Sequence, residues 1–448
     1  MARAARLSGF PEWLPSDRIV EERVIDLLKH VFELNGFGAI HTRAMEPISA
    51  LAKDGEIDKE VFAVSRLHGE QHDAKNPLGL HFDLTVPFAR YVVEHAGHLA
   101  FPFKRYQIQP VWRGERPQDG RFREFVQADI DVVGEDSLPH HFEVEVPLVM
   151  AAAFDALREL GVPPVRILAN DRRLIEGFAR GAGLDDIPAV LRSIDKLDKI
   201  GEEAVARLLA EHAGADTRQQ ELCLALARIE SADTGFADEV VALGVSHPLL
   251  DEGLASLTRI LEAAHRRAPG TVWAQLKIAR GLDYYTGAVY ETQLVGHEDL
   301  GSVASGGRYD ALASNGRRTY PGVGMSVGVS RLMSRLVGAD RMVAASRPVP
   351  TAVLVSVTDE ERRDESDRVA EVLRARGIPS DVAPAAAKFG KQIRYADRRG
   401  IPFVWFVDGE TGHEVKDIRS GEQQTADPEV WTPAAEDLWP RVERISGD

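Results

Sequence analysis

The chain has 448 residues, a formal charge of −16 from 54 basic and 70 acidic side chains, and one cysteine, Cys223. That length exceeds a typical single core and predicts two or three domains, each able to bury an interior without staples. A lone cysteine excludes a disulfide within the chain and a cysteine-based zinc or iron–sulfur site from one subunit, which fits a reducing, cytoplasmic setting, and the acidic balance argues against a surface coated throughout in polyanion while leaving room for a local RNA-binding strip.

The basic residues of the N-terminus, Arg3 and Arg6, are not followed by an apolar run, and nowhere do about 18 uncharged apolar residues stand together, so neither export nor a membrane span is expected. Ile19, Val20, Val24, Leu27, Val31 and Leu34 fall at helical spacing and predict a helix over 17–34, with Ser16 as N-cap and Asn35-Gly36 as its end. Strand-like runs follow, notably 107–112 and 123–133, and then an apolar helix over 142–160 that stops at Gly161. Between 170 and 268 the texture is Ala, Leu, Glu, Arg and Asp in helical periods, which reads as a helical insertion; Cys223, among Leu222, Leu224 and Leu226, reads as a small buried apolar residue. Strand-and-turn texture returns at 272–278, 288–294 and the glycine-rich tract 301–328, followed by a helix over 330–336. A linker at 346–350 precedes a strand (351–357), a helix (360–376), a helix (391–399) and an apolar strand (402–407), predicting a small α/β domain with a mainly parallel sheet.

Three segments carry chemistry. Arg113-Gly114-Glu115-Arg116, a polar turn and Arg121-Phe122-Arg123-Glu124-Phe125 form two strands joined by a loop, which turns several arginines toward one space. Their forked, permanently charged donors suit phosphate oxygens; a hairpin with a solvated charged face is the plain alternative. Gln127, Asp129 and Asp131 alternate with Ala128, Ile130 and Val132, so three polar side chains share one face of a strand apolar enough to be central, and such a face most simply lines a cavity. Arg280-Gly-Leu-Asp-Tyr284-Tyr285 combines a cation with two aromatic hydroxyls, and Gly306-Gly-Arg-Tyr-Asp and Gly322 to Arg331 follow. The last has glycines spaced G-x-G-x-x-x-G, and no G-x-x-x-x-G-K-[ST] loop exists, so a nucleotide would have to be held by arginines and a sheet surface. His68-Gly-Glu-Gln-His72 lacks the order of a zinc helix, and no metal site is expected there; His140-His141 reads as surface or cap.

Arg113 to Glu124 resembles motif 2 of class II aminoacyl-tRNA synthetases, Gly322 to Arg331 resembles motif 3, and Pro47 stands where the proline of motif 1 would. The Arg280 and Gly306 segments, with Asp83-Leu84-Thr85, are similar to elements peculiar to the histidyl-tRNA synthetase family, and the likeness spans about residues 17–420. The implied fold class is α/β: a class II catalytic core (1–168 and 272–340) with an antiparallel sheet flanked by helices, a helical insertion (169–271), and an anticodon-binding α/β domain (348–448). The resemblance implies ATP with Mg2+, L-histidine and tRNA(His) as ligands and a homodimer in the cytoplasm. It makes Arg113 and Arg280 catalytic, with Asp83, Thr85, Arg113, Gln127, Asp131, Arg280, Tyr284 and Tyr285 around histidine. In that scheme Asp131 and Tyr285 recognise the two imidazole nitrogens. It places Arg113, Glu115, Arg121, Phe125 and Arg331 on ATP, the last two sandwiching adenine, and Lys388, Lys391 and Arg394 on tRNA. Ser330, where many family members have glutamate, and Asp131, often glutamate, are departures. The alternative is the non-catalytic, synthetase-like regulatory subunit of an ATP phosphoribosyltransferase, against which Lys388 to Asp397 and Val415 to Gln423 speak, since they resemble the family's anticodon-binding domain.

Overall fold

A computed structural model describes residues 7–51, 60–67, 77–278, 284–338, 341–407 and 412–445. The chain divides into one compact unit of residues 1–11 and 24–334 and a second of 12–23 and 335–448.

The first unit is organised by a nine-stranded sheet. Its strands run, in spatial order, Gly38–Ala39, Phe103–Trp112, Glu124–Val133, Gly322–Gly328, Ala304–Tyr309, Ala288–Leu294, Val165–Asp171, Val272–Gln275 and Glu230–Ser231. Pairing is antiparallel except for Gly38–Ala39 on Phe103–Trp112 and Val165–Asp171 on Val272–Gln275. Glu124–Val133 is therefore central, between Phe103–Trp112 and Gly322–Gly328, as its apolar alternation requires. The helix His141–Leu157 packs on the sheet through Val146, Met150, Ala153, Phe154 and Leu157, all buried. Val272–Gln275 is shorter than the predicted strand because Asn170 Nδ2 takes the carbonyls of Leu276 and Ile278, at 3.1 and 3.0 Å, away from any ladder.

The first helix spans Pro15–Leu34 and buries Val20, Val24, Leu27, Leu28 and Val31. Pro15, with φ already helical and no N–H to lose, opens it, so Ser16 lies inside the helix and not at its cap. The helices between Arg172 and Arg267 share an apolar core that includes Ile175, Val190, Val205, Leu209 and the buried Cys223. Asp171, the last residue of a sheet strand, also caps the first of them by accepting from Arg173 N at 2.9 Å.

The second unit holds a five-stranded sheet in the order Ser380–Val382, Val353–Val355, Phe403–Phe406, Glu414–Asp417, Gln423–Thr425. Helices Arg363–Ala375 and Phe389–Arg399 supply the crossovers for its three parallel strands. The last two strands pair antiparallel, which corrects the expectation of a mainly parallel sheet. The connection after Phe406 is too short for a crossover helix, so the chain returns as a hairpin.

Candidate functional site

Two adjoining cavities lie over the polar face of the central strands. The outer one, about 590 Å³ of empty space, is walled by Arg113, Glu115, Arg121, Phe125, Gln127 and Arg331, with Ser302 to Ser305 opposite. The inner one, about 180 Å³, is walled by Thr85, Asp131, Tyr285, Ser305, Tyr309 and Ser326. The structure thus brings every described member of the expected ATP set to the outer cavity, and Thr85, Asp131 and Tyr285 to the inner one. Arg280 lies outside the described residues, as do His68 to His72.

The outer cavity is cationic by construction. The hairpin closes with Arg113 N donating to Arg123 O at 2.8 Å, and Arg113 Nε donates to Phe82 O at 2.9 Å, which aims its guanidinium within 5.2 Å of the Phe125 ring. Arg331 Nε donates to Gly120 O at 3.0 Å and its Nη1 to Ser302 O, tying the helix start to both cavity walls. Burial, and then repulsion from Arg121 and Arg113, pushes the Arg331 guanidinium down to about 10. It remains charged at neutral pH, and three cations crowd the space with Glu115, whose Oε2 stands 3.9 Å from Arg121 Nη1, while Glu60 and Asp83 act on Arg113. Ser330, in place of the family's common glutamate, accepts from Val126 N at 2.9 Å, so its hydroxyl pins the helix start to the central strand.

The inner cavity is lined by carboxyl and phenol groups. Arg105, fully buried and absent from the sequence-based expectations, sits opposite Asp131 in the strand register; its Nη2 lies 2.6 Å from Asp131 Oδ2 and its guanidinium 4.2 Å from the Phe88 ring. Tyr309, also missed, donates its hydroxyl to Asp131 Oδ1 at 2.8 Å. Asp131 is raised to about 6, chiefly by burial, against the pull of Arg105 and Tyr309. Gly324 is the strand residue opposite Asp131, and a Cβ there would lie 2.1 Å from Asp131 Oδ1, so the carboxylate occupies the space this glycine leaves. Gly307 does the same for Tyr285, whose ring would be 2.8 Å from an added Cβ. Gly307, Gly322 and Gly324 are thus placed by the pocket side chains they admit, Tyr285, Tyr309 and Asp131, and not by a phosphate loop.

Asp83 is buried, accepts from Val86 N at 3.0 Å at the start of helix Thr85–His95, and has the Tyr284 hydroxyl at 3.5 Å. Burial raises its carboxyl, with Arg113 and Arg105 opposing. Tyr284 packs edge-on against both Tyr285 (4.8 Å) and Tyr309 (6.1 Å between centroids), so three phenols form one wall. Gln127 is buried on the outer cavity with an Oε1 that has no partner among the described residues. Of the conspicuous histidines, His140 Nδ1 contacts Glu143 Oε1 at 2.8 Å; Glu143 also holds Arg308, a buried brace beneath the Gly306 segment.

In the second unit, Lys388, Lys391 and Arg394 are exposed and none forms an ion pair among the described residues. Lys388 is the N-cap position of helix Phe389–Arg399. Phe389 beside it, 40% exposed, stands edge-on to Phe406 at 4.6 Å, an aromatic face among cations that charge spacing alone did not single out.

Residues 9–332 match the family model described as Histidyl-tRNA synthetase, and residues 351–430 match the one described as Anticodon binding domain. The chain is 59% identical to a histidine–tRNA ligase of Micrococcus luteus and 56% identical to that of Cutibacterium acnes, in each case over 99% of both chains. A crystal structure of a histidyl-tRNA synthetase from Nostoc sp. PCC 7120 superposes with a TM-score of 0.81 at 31% identity, covering 95% of this chain and 97% of that one.

Proposed function

This chain belongs to the histidyl-tRNA synthetase family, and from that premise we propose how its own residues divide the work of a histidine–tRNA ligase. The reaction joins L-histidine to ATP as histidyl-adenylate with release of pyrophosphate, then passes histidine to the 3′ end of tRNA(His). The observation that carries the assignment of sites is the convergence of Arg113, Arg121 and Arg331 on one cavity that opens beside a smaller chamber of carboxylates and phenols.

The triphosphate answers the charges of Arg113, Arg121 and Arg331 and offsets the repulsion that Arg121 and Arg113 exert on Arg331. Adenine fits between Phe125 and Arg331, with Glu115 accepting from its amino group, while Arg121 reaches the terminal phosphates. Arg113 lines the outer cavity with Asp83 within reach of its charge and serves both the α-phosphate and the histidine carboxylate. Asp83 and Thr85 take the α-ammonium, Gln127 lies beside the carboxylate, and Asp131, Tyr284 and Tyr285 surround the ring. The histidine carboxylate is already a nucleophile, so the protein supplies alignment and charge neutralisation and little proton transfer. Arg280 is assigned the charge that develops at the α-phosphorus, and this rests on its sequence motif.

Mg2+ enters with ATP. The arginine-rich lining of the outer cavity fits an ion carried mainly by phosphate oxygens and not by a protein cage. Exposed Met45 and Leu78, on the two paired strands that hold Pro47, support a homodimer through that region. Among the described residues no helix is long and apolar enough to cross a membrane. Lys388, Lys391 and Arg394 contact tRNA phosphates, and Phe389 offers its ring to an unpaired base. The anticodon-domain match over 351–430 favours the ligase over the regulatory-subunit alternative.

Histidine-dependent ATP–pyrophosphate exchange followed by charging of tRNA(His) tests the assignment. Exchange that no amino acid stimulates, with the arginines intact, would point to the regulatory subunit.

A further inference from the structure

We infer that Asp129 is a second specificity-determining carboxylate of the inner chamber, and that it makes this pocket select the imidazolium form of histidine. The inference rests on the reading of that chamber as the histidine side-chain pocket.

Asp129 lies between Gln127 and Asp131 on the same face of strand Glu124–Val133, the first bordering the outer cavity and the second the inner. Ser326, opposite it on the neighbouring strand, borders both cavities, so Asp129 shares the sheet face over which they meet and lies behind their lining. Its carboxylate is 1% exposed and, beyond a contact with the Ser326 hydroxyl, neither oxygen has a hydrogen-bond partner among the described residues. Asp131 by contrast already has Arg105 and Tyr309 as partners, with acceptor sites left over for the ring. A buried acceptor pair left largely open beside a partnered one is a ligand-facing arrangement.

The charges around it make the case specific. From its own strand Asp129 faces Asp131; from Phe103–Trp112 it faces Arg105 and Gln107; from Gly322–Gly328, Ser326; from the start of helix Thr85–His95, Asp83; and from the segment after the undescribed loop, Tyr285. His81, near Asp83, is lowered by burial and stays neutral, and the three phenols are raised and stay neutral. Among the described residues three carboxylates therefore face Arg105, with Arg113 acting on Asp83 from the outer cavity and assigned there to the α-phosphate and the histidine carboxylate. Arg105 answers Asp131, and the α-ammonium of a bound amino acid answers Asp83. Asp129 remains, and a ring protonated on both nitrogens supplies the missing positive charge. Burial, with Asp131 and Asp83 adding to it, raises Asp129 to about 7, so near neutrality its proton can pass to the entering ring.

The test uses the full-length protein, wild type and Asp129→Asn, with L-histidine and with 1,2,4-triazolylalanine, which has the same shape and a far less basic ring. Calorimetry at pH 8 in two buffers of different ionisation enthalpy reads the protons taken up on binding. At that pH free histidine is neutral in its ring and Asp129 is ionised, so wild type should take up close to one proton per histidine, and Asp129→Asn distinctly less. The preference for histidine over the triazole in ATP–pyrophosphate exchange should fall by about tenfold or more in Asp129→Asn, the scale of one hydrogen bond to a charged group. Wild-type binding of histidine without proton uptake overturns the inference, as does equal uptake with the triazole, which would leave the proton on the protein. An unchanged preference in a variant with wild-type melting behaviour also overturns it. Each of these leaves histidine-dependent exchange by the wild type intact, whereas failure of that exchange would instead overturn the pocket assignment.

Discussion

Tyr309 Oη donates to Asp131 Oδ1 at 2.8 Å across the sheet, from a strand two places removed, the phenol lying over Gly322 and the carboxylate over Gly324 of the strand between them. The bond joins a residue of the central polar strand to one of the glycine-rich tract, and it fixes the carboxylate that the imidazole is expected to meet. Tyr309→Phe keeps the ring and removes the donor. Discrimination of histidine from its ring analogues should weaken by ~1–3 kcal/mol, the cost of leaving a buried charged acceptor short of one partner. The ratio of kcat/KM values in pyrophosphate exchange reads it, and Asp131→Asn should lower the same ratio. A Tyr309→Phe enzyme with undiminished discrimination would leave Tyr309 a packing residue.

Asp129 has a stability consequence separate from its role in binding. Its folded carboxyl holds a proton to about 7, whereas an unfolded aspartate releases it near 4. A raised acid costs the fold nothing below its unfolded pKa and progressively more as pH rises through the folded value. Asp129→Asn should therefore stabilise the ligand-free protein, by up to ~3 kcal/mol more at pH 8 than at pH 5. Thermal unfolding of both proteins at the two pH values decides it. An advantage that does not grow with pH would mean that Asp129 finds a partner the static structure does not display.

The inner pocket was legible in part, and the reason for the shortfall is geometric. Alternation announced that Gln127, Asp129 and Asp131 share a face, because a strand's period is two regardless of what it pairs with. The partners Arg105 and Tyr309 come from strands whose register is set by long-range pairing, so their positions opposite Asp131 and beneath it leave no local trace. Arg105 in particular stands in Phe103-Lys-Arg-Tyr, which reads as an ordinary charged strand end, yet it is fully buried. The outer cavity was easier, since hairpin pairing alone brings Arg113 opposite Arg123 and the intervening loop over them. In the second unit helix ends were legible from Gly377 and Gly400, both at positive φ, while the antiparallel return after Phe406 was hidden in a connection whose length is its only signal.

Arg331 offers a test of the outer cavity that does not depend on turnover. Its charge is disfavoured by burial and by Arg121 and Arg113, and a bound polyanion reverses that balance. ATP should therefore raise the melting temperature of the wild type more than AMP does. Arg331→Gln, which keeps much of the side chain and removes the charge, should shrink the ATP effect and raise the KM for ATP by about tenfold or more, as loss of a charge-assisted contact to a ligand does. The KM for histidine should change less, because Arg331 borders the outer cavity and not the inner one. Equal shifts with ATP and AMP would remove the triphosphate from this cavity.

The exposed cations of the second unit carry the last prediction. Lys388, Lys391 and Arg394 are spaced by three along the start of helix Phe389–Arg399, and positions three apart lie on neighbouring parts of one helix surface. None forms an ion pair among the described residues, whereas Arg399, further along, is engaged by Asp381 at 2.7 Å and by the Tyr395 hydroxyl at 2.9 Å. Free cations at one end of a helix and a paired one at the other are what a phosphate-binding surface requires. Each contact to a phosphate releases counterions, so replacing all three residues with alanine should reduce the slope of log K against log salt for tRNA binding by about 2. Aminoacylation should fall through a raised KM for tRNA, while ATP–pyrophosphate exchange stays at the wild-type rate because it needs no tRNA. Phe389→Ala should weaken tRNA binding without changing the salt slope, since stacking releases no ions. A triple variant whose salt slope matches the wild type would show that these cations face solvent and nothing else.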